Sequence, residues 1–179
     1  MPSRSDRLLG SLGVAFYVAH AAYAIGTGKW PLAFWTCHLA SLLVGAGFIL
    51  SSRLVIAIGC LWLAVGTPLW LLDVSEGGTF FPTSVLTHGG GLALALRGAC
   101  TMGLPRGSWW RAIAAFAVAW IVTRNLTPPY ENVNFSHAIW QGWESRFHGS
   151  YPAFLAVVVL VNAAYFYALE RLIGRLTGR

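Results

Sequence analysis

Charge is what this sequence has least of. Lys and Arg together number 12 and Asp and Glu only 6 among 179 residues, so charged side chains are 10% of the chain, against roughly a quarter in an ordinary soluble domain. That is too little to coat a water-facing surface. Cysteine is scarce too: Cys37, Cys60 and Cys100 all fall inside apolar runs, and an odd number in such positions argues against a disulfide framework. There is no Cys-x-x-Cys pair and no pair of histidines four residues apart, so the tight spacings that mark a metal or redox motif are missing, and no metal or cofactor is expected from spacing. A haem attachment motif is also absent. The net charge of +6 comes from arginines scattered one or two at a time between apolar runs, not from a solvated basic stripe, which argues against a nucleic-acid partner.

What the chain has in abundance is apolar surface, with 56% hydrophobic residues. Six apolar runs are visible, at about residues 8–25, 30–50, 54–72, 85–102, 109–122 and 152–169. A helix needs about 20 apolar residues to cross a bilayer. The expected fold is therefore an all-α membrane protein, a bundle of about six transmembrane helices forming a single domain over residues 1–179, with one long connection at 123–151. The first run, preceded by Arg4 and Arg7 and followed by Ala22-Tyr23-Ala24, also fits a cleavable signal peptide; we read it as a retained helix.

Orientation follows from the basic residues. Nine of them (Arg4, Arg7, Arg53, Arg97, Arg106, Arg111, Arg171, Arg175 and Arg179) fall on one side of a six-helix arrangement, against Lys29, Arg124 and Arg146 on the other. The positive-inside rule then places both termini in the cytoplasm of a cell (inner) membrane. Asp73, Glu76, Glu131 and Glu144 fall on the outer side.

Polar groups at membrane depth are costly and tend to mark function. At about 1.5 Å per residue, His20 and His38 lie within the outer halves of the first two helices, and His88 about one turn below the outer end of the fourth. Asp73, Arg124 and Asn125 end helices on that side, and the connection adds Asn134 and His137. An outward-facing polar cavity is the expectation, with His20, His38, Asp73, Arg124, Asn125, Asn134 and His137 available to bind a substrate. Trp35-Thr36-Cys37-His38 carries a hydroxyl, a thiol and an imidazole on consecutive residues. Neighbours on a helix point about 100° apart, so all three are not expected to face one cavity. His88, followed by three glycines, is the best-placed partner from another helix. A thiol or hydroxyl beside an imidazole base suffices for acyl transfer. The segment 138–143, with Trp140 and Trp143, reads either as part of an aromatic belt or as an amphipathic lid.

Several short motifs coincide with these positions: Lys29-Trp30-Pro31-Leu32-Ala33-Phe34 opening the second run, His88-Gly89, Asn132-x-Asn134-Phe135, and Gly149-Ser150-Tyr151-Pro152 at the start of the last helix. In them the chain resembles a group of small multi-pass proteins that includes the androgen-induced, androgen-dependent TFPI-regulating and YwaF-like membrane proteins. The resemblance covers much of residues 29–167 and implies about six helices and an intramembrane lipid hydrolase or acyltransferase using Thr or Cys with His. His88 matches the family histidine. The Thr expected beside the Trp-to-Phe segment is Ala33 here, leaving Thr36 or Cys37 as displaced nucleophiles; a relative without a nucleophile would bind lipid and not cleave it.

The function expected is acyl-ester hydrolysis or acyl transfer on a membrane lipid, with His88 as base and Cys37 or Thr36 as nucleophile. The alternatives are a noncatalytic binding or transport protein for a lipid or small polar ligand, and a haem or metal protein ligated by His20, His38 and His88. Self-association into a homo-oligomer is left open.

Overall fold

The computed structural model describes residues 2–177; Met1, Gly178 and Arg179 lie outside the described residues, and with Arg179 one of the nine basic residues counted above. Among the described residues the chain is helical, without strands. Its α-helices are α1 (Arg4–Gly26), α2 (Thr36–Ile49), α3 (Arg53–Ser75), α4 (Gly91–Met102), α5 (Ser108–Leu126) and α6 (Tyr151–Leu176). Three of them, α1, α3 and α6, are long and apolar enough to cross a membrane.

Local chemistry explains where the helices begin. Ser3 opens α1 with a capping box: its hydroxyl accepts from the Asp6 amide at 3.1 Å while the Asp6 carboxylate accepts from the Ser3 amide at 3.0 Å. Ser52 and Ser150 cap α3 and α6 in the same sense, with Pro152 in the first turn of α6. The opening of α5 is capped from a distance. Gly107 turns into it at φ +78°, and the Glu170 carboxylate of α6 accepts from the amides of Gly107 at 2.8 Å and Trp109 at 2.9 Å.

Two of the expected helices differ from a simple reading of their apolar runs. The second run is not one helix: Trp30–Phe34 forms a short 3-10 turn, Trp35 is extended (φ −58°, ψ 135°), and only then does α2 start. Asn134 satisfies the backbone groups freed by this break, as described below. The fourth run opens with a π-helical turn, Leu86–Gly90, before α4. The long connection holds three 3-10 turns, Pro129–Glu131, Val133–Phe135 and Glu144–Phe147, and residues 138–143 are turn and irregular backbone, so no amphipathic helix lies there.

The element at the centre is α3, which packs against α2, α4, α5 and α6, while α1 packs on α2 and α4. The α1–α2 crossing is close because Gly45 faces α1 without a side chain. A Cβ there would stand 2.6 Å from the Val14 amide nitrogen and 2.7 Å from the Gly10 carbonyl oxygen, the small-residue packing that lets helix backbones touch. Phe48, Ile56, Leu61 and Leu63 fill the core. Outward, large apolar side chains such as Leu8, Val118 and Leu160 are 61%, 61% and 68% exposed.

The connection between α2 and α3 is only Leu50 to Ser52, so those helices run antiparallel. Repeated along the chain, this gathers the C-terminal ends of α1, α3 and α5 and the N-terminal ends of α2 and α6 at one end of the bundle, with the π turn before α4 beside them. The N-terminal end of α1 and the C-terminal end of α6 lie at the other end.

Candidate functional site

A cavity of about 490 Å³ opens at that end. Along α3 its wall is Trp62, Val65, Gly66, Leu69, Trp70 and Asp73, residues three or four apart that share one helix face over roughly 16 Å. Its mouth is polar, with Lys29, Asp73, Asn132 and Gln141, and Glu131, whose carboxylate pairs with the Lys29 ammonium at 3.1 Å. Its depth is apolar apart from Asn162, being walled by Trp62, Val65, Phe116, Val158 and Phe166. Thr36, Cys37, His38 and His88 stand between the two regions in sequence along the wall.

Thr36, Cys37 and His38 all line this space, contrary to the expectation from helical geometry that they diverge. The reason is that α2 begins at Thr36. The cavity wraps around the end of the helix, where consecutive first-turn residues reach the same space. Room for Cys37 comes from α3: a Cβ at Gly66 would sit 2.5 Å from the Cys37 Cβ.

The imidazoles form a contiguous stack. His20 and His38 lie nearly face to face with ring centroids 3.8 Å apart, His38 meets His88 edge-on at 4.9 Å, and His88 stacks on Trp70 at 4.6 Å. The Cys37 sulfur and one ring nitrogen each of His38 and His88 lie within 4.8 Å of one another. Histidines 50 residues apart in the chain, His38 and His88, thus share a wall of one cavity.

Hydrogen bonds assign the tautomers. His88 Nδ1 lies 2.9 Å from the Ser84 carbonyl oxygen, which only accepts, so Nδ1 carries the proton. The Thr87 hydroxyl donates to the same carbonyl at 3.1 Å. Its single proton is then committed, so His38 Nδ1, 2.9 Å from the Thr87 oxygen, must donate to it. In the neutral ring each imidazole therefore keeps its lone pair on Nε2. The His88 Nε2 is buried and has no hydrogen-bond partner. The Ser84 carbonyl and the π turn that follows it thus orient two histidines from two helices. Sequence reasoning found the histidines but not this device, since no spacing signals it.

The other expected binding residues scatter. Asp73 lines the mouth. His20 lies outside the cavity lining, fully buried behind His38, with Nδ1 3.1 Å from the Thr83 hydroxyl. Arg124 donates to the Ser136 carbonyl and lies over the Trp120 ring, and the exposed Asn125 donates to the Ile121 carbonyl at 2.7 Å; neither lines the cavity. His137 also lies off it, its backbone amide donating to the Asn132 side chain at 3.0 Å. Asn134 touches the cavity, but its amide group serves the backbone: Oδ1 accepts from the Thr36 amide and Nδ2 donates to the Phe34 carbonyl, both at 2.9 Å. Trp140 and Gln141, from the segment considered as a lid, line the cavity. Of the glycines after His88, Gly90 lies against the Phe16 ring and Gly91 against Ser41, so they serve helix packing, while Gly89 faces open space.

The face-to-face stacking of His20 on His38 and of Trp70 on His88 leaves no slot for a porphyrin plane between facing histidines, so a haem ligated by these three residues does not fit. Compared with known proteins, the chain matches no family model, no curated protein and no solved structure.

Proposed function

We propose that this chain is a membrane-embedded acyl-transfer or acyl-ester-hydrolysing enzyme acting on lipid, with Cys37 as nucleophile and His88 as its base. The observation that carries this reading is the convergence of the Cys37 sulfur with the His38 and His88 ring nitrogens within 4.8 Å, on the wall of a cavity with a polar mouth and an apolar depth. An ester with a polar head and an apolar tail matches that division. The resemblance to the small multi-pass lipid hydrolases points the same way. Thr36 lines the cavity as well; Cys37 is preferred because a thiol is intrinsically the stronger nucleophile.

In this mechanism His88 Nε2 accepts the thiol proton as the sulfur attacks the acyl carbonyl carbon. The tetrahedral oxyanion forms beside the first turn of α2, the positive end of that helix. Collapse breaks the ester C–O bond, and His88 returns the proton to the departing alcohol. The thioester on Cys37 is then resolved by water or by an acceptor alcohol, again deprotonated by His88. Six membrane crossings, with both termini cytoplasmic, put the mouth on the outer side.

The test is intact-mass analysis of the purified chain after exposure to activated acyl esters, with turnover measured over a panel of acyl lipids. The wild type and Thr36→Ala are expected to acquire one acyl group, lost from Cys37→Ser and Cys37→Ala, while His88→Ala slows acylation by at least about a hundredfold. A wild type that neither acylates nor turns over any lipid, or a Cys37→Ala protein that keeps its activity, overturns the proposal.

A further inference from the structure

We propose that Cys37, His38 and His88 also form a Zn²⁺ site, and that an ion held there closes the Cys37 thiol to acyl chemistry. The blocking half rests on the acyl-transfer reading; the binding half does not.

The donor set is the first argument. One sulfur and two imidazole nitrogens are ligands zinc favours, at about 2.3 Å for sulfur and about 2.0–2.1 Å for nitrogen. Here the sulfur and one ring nitrogen of each histidine already lie within 4.8 Å of one another, so side-chain rotations that present the two Nε2 atoms bring the three donors onto one ion. Orientation is the second argument. A metal-binding histidine usually donates its other ring N–H to a carbonyl or similar acceptor, which fixes tautomer and ring plane. Both histidines do this: His88 Nδ1 donates to the Ser84 carbonyl and His38 Nδ1 to the Thr87 hydroxyl, which is itself held by that carbonyl. The third is an unmet need. His88 is 1% exposed and its Nε2 has no partner, an uncommon condition for a buried polar atom. Zinc supplies that partner. Three protein ligands leave the fourth position facing the cavity, the open form of zinc site.

Binding replaces the thiol proton. The Cys37 S–H bond breaks, an S–Zn bond forms, and the proton leaves through the cavity mouth to solvent. With its sulfur lone pair on zinc, Cys37 no longer attacks an ester, so zinc and acyl substrate compete for one residue.

The full chain in lipid nanodiscs, stripped with a chelator, is titrated with Zn²⁺ and, as a spectroscopic probe, Co²⁺. One equivalent of each is expected to bind, the Co²⁺ form showing a thiolate charge-transfer band that Cys37→Ser lacks. Cys37→Ser and His88→Ala should each weaken Zn²⁺ binding more than about tenfold, and Thr87→Val, which removes only the hydroxyl orienting His38, by about 10–100-fold. Cys100→Ser and His148→Ala, both at exposed positions, should leave binding unchanged. No stoichiometric binding, or binding that survives Cys37→Ser and His88→Ala, overturns the site. In the same samples one equivalent of Zn²⁺ should block Cys37 acylation and chelator should restore it. Acylation that proceeds in zinc-loaded protein overturns the blocking. Zinc binding without any acylation of the stripped protein sinks the acyl-transfer reading and the blocking with it, leaving the site.

Discussion

Asn134 shows how one side chain makes the site possible. The break at Trp35 that lets α2 begin beside the cavity frees the Phe34 carbonyl and the Thr36 amide, and the Asn134 amide group bonds both. A carboxamide accepts through its oxygen while donating through its nitrogen, and Asn tolerates the left-handed backbone (φ 55°) found there better than most residues. Asn134→Ala leaves two backbone groups unmet and Asn134→Asp leaves one, each group costing about 1–3 kcal/mol when buried. Asn134→Ala is therefore expected to lower the thermal midpoint in detergent and to slow alkylation of Cys37 by a small iodoacetamide, with Asp intermediate in stability. A wild-type midpoint and alkylation rate in Asn134→Ala would show that the clamp is dispensable. The Asn-rich stretch was visible in the sequence as a candidate for substrate binding. Its true partners, about 100 positions away, were not.

At the scale of elements, the cap on α5 ties two helices together. A helix N-terminus carries unpaired amides and a partial positive charge, and α5 meets both needs with Glu170 of α6, whose two carboxylate oxygens take the Gly107 and Trp109 amides. Glu170→Ala should destabilise the chain by about 1–2 kcal/mol, and Glu170→Gln, which keeps an acceptor but not the charge, by less. Thermal denaturation of the three proteins side by side measures the order; equal midpoints would show the cap to be idle. Helix existence was legible from apolar runs because burying or lipid-facing stretches need continuous apolar character. The π turn and the break before α2 were not, since both arise from how neighbouring elements meet.

For the whole molecule, the antiparallel run of helices sets the start of α1 and the end of α6 opposite the cavity, so the side on which those two helix ends lie decides where the mouth opens. The charge asymmetry predicts the termini and residues 103–107 on the cytoplasmic side and residues 77–84 outside. Reporter fusions and cysteine accessibility at those two connections read this directly. A cytoplasmic 77–84 connection would reverse the orientation and open the cavity to the inner side, leaving the chemistry at Cys37 and His88 untouched.

Composition and the spacing of apolar runs determined the all-helical class and the order of the six helices, because those depend on local hydrophobicity and backbone satisfaction that each segment carries in itself. The histidines and Cys37 could likewise be singled out, since polar groups in apolar runs stand out one residue at a time. Tertiary structure alone decided which of them meet. His38 and His88 come together where the late start of α2 meets the π turn that carries His88. His20 is turned away behind His38, and Arg124, Asn125 and His137 are drawn elsewhere. Proximity of residues far apart in the chain is a property of packed backbones, and no local pattern encodes it.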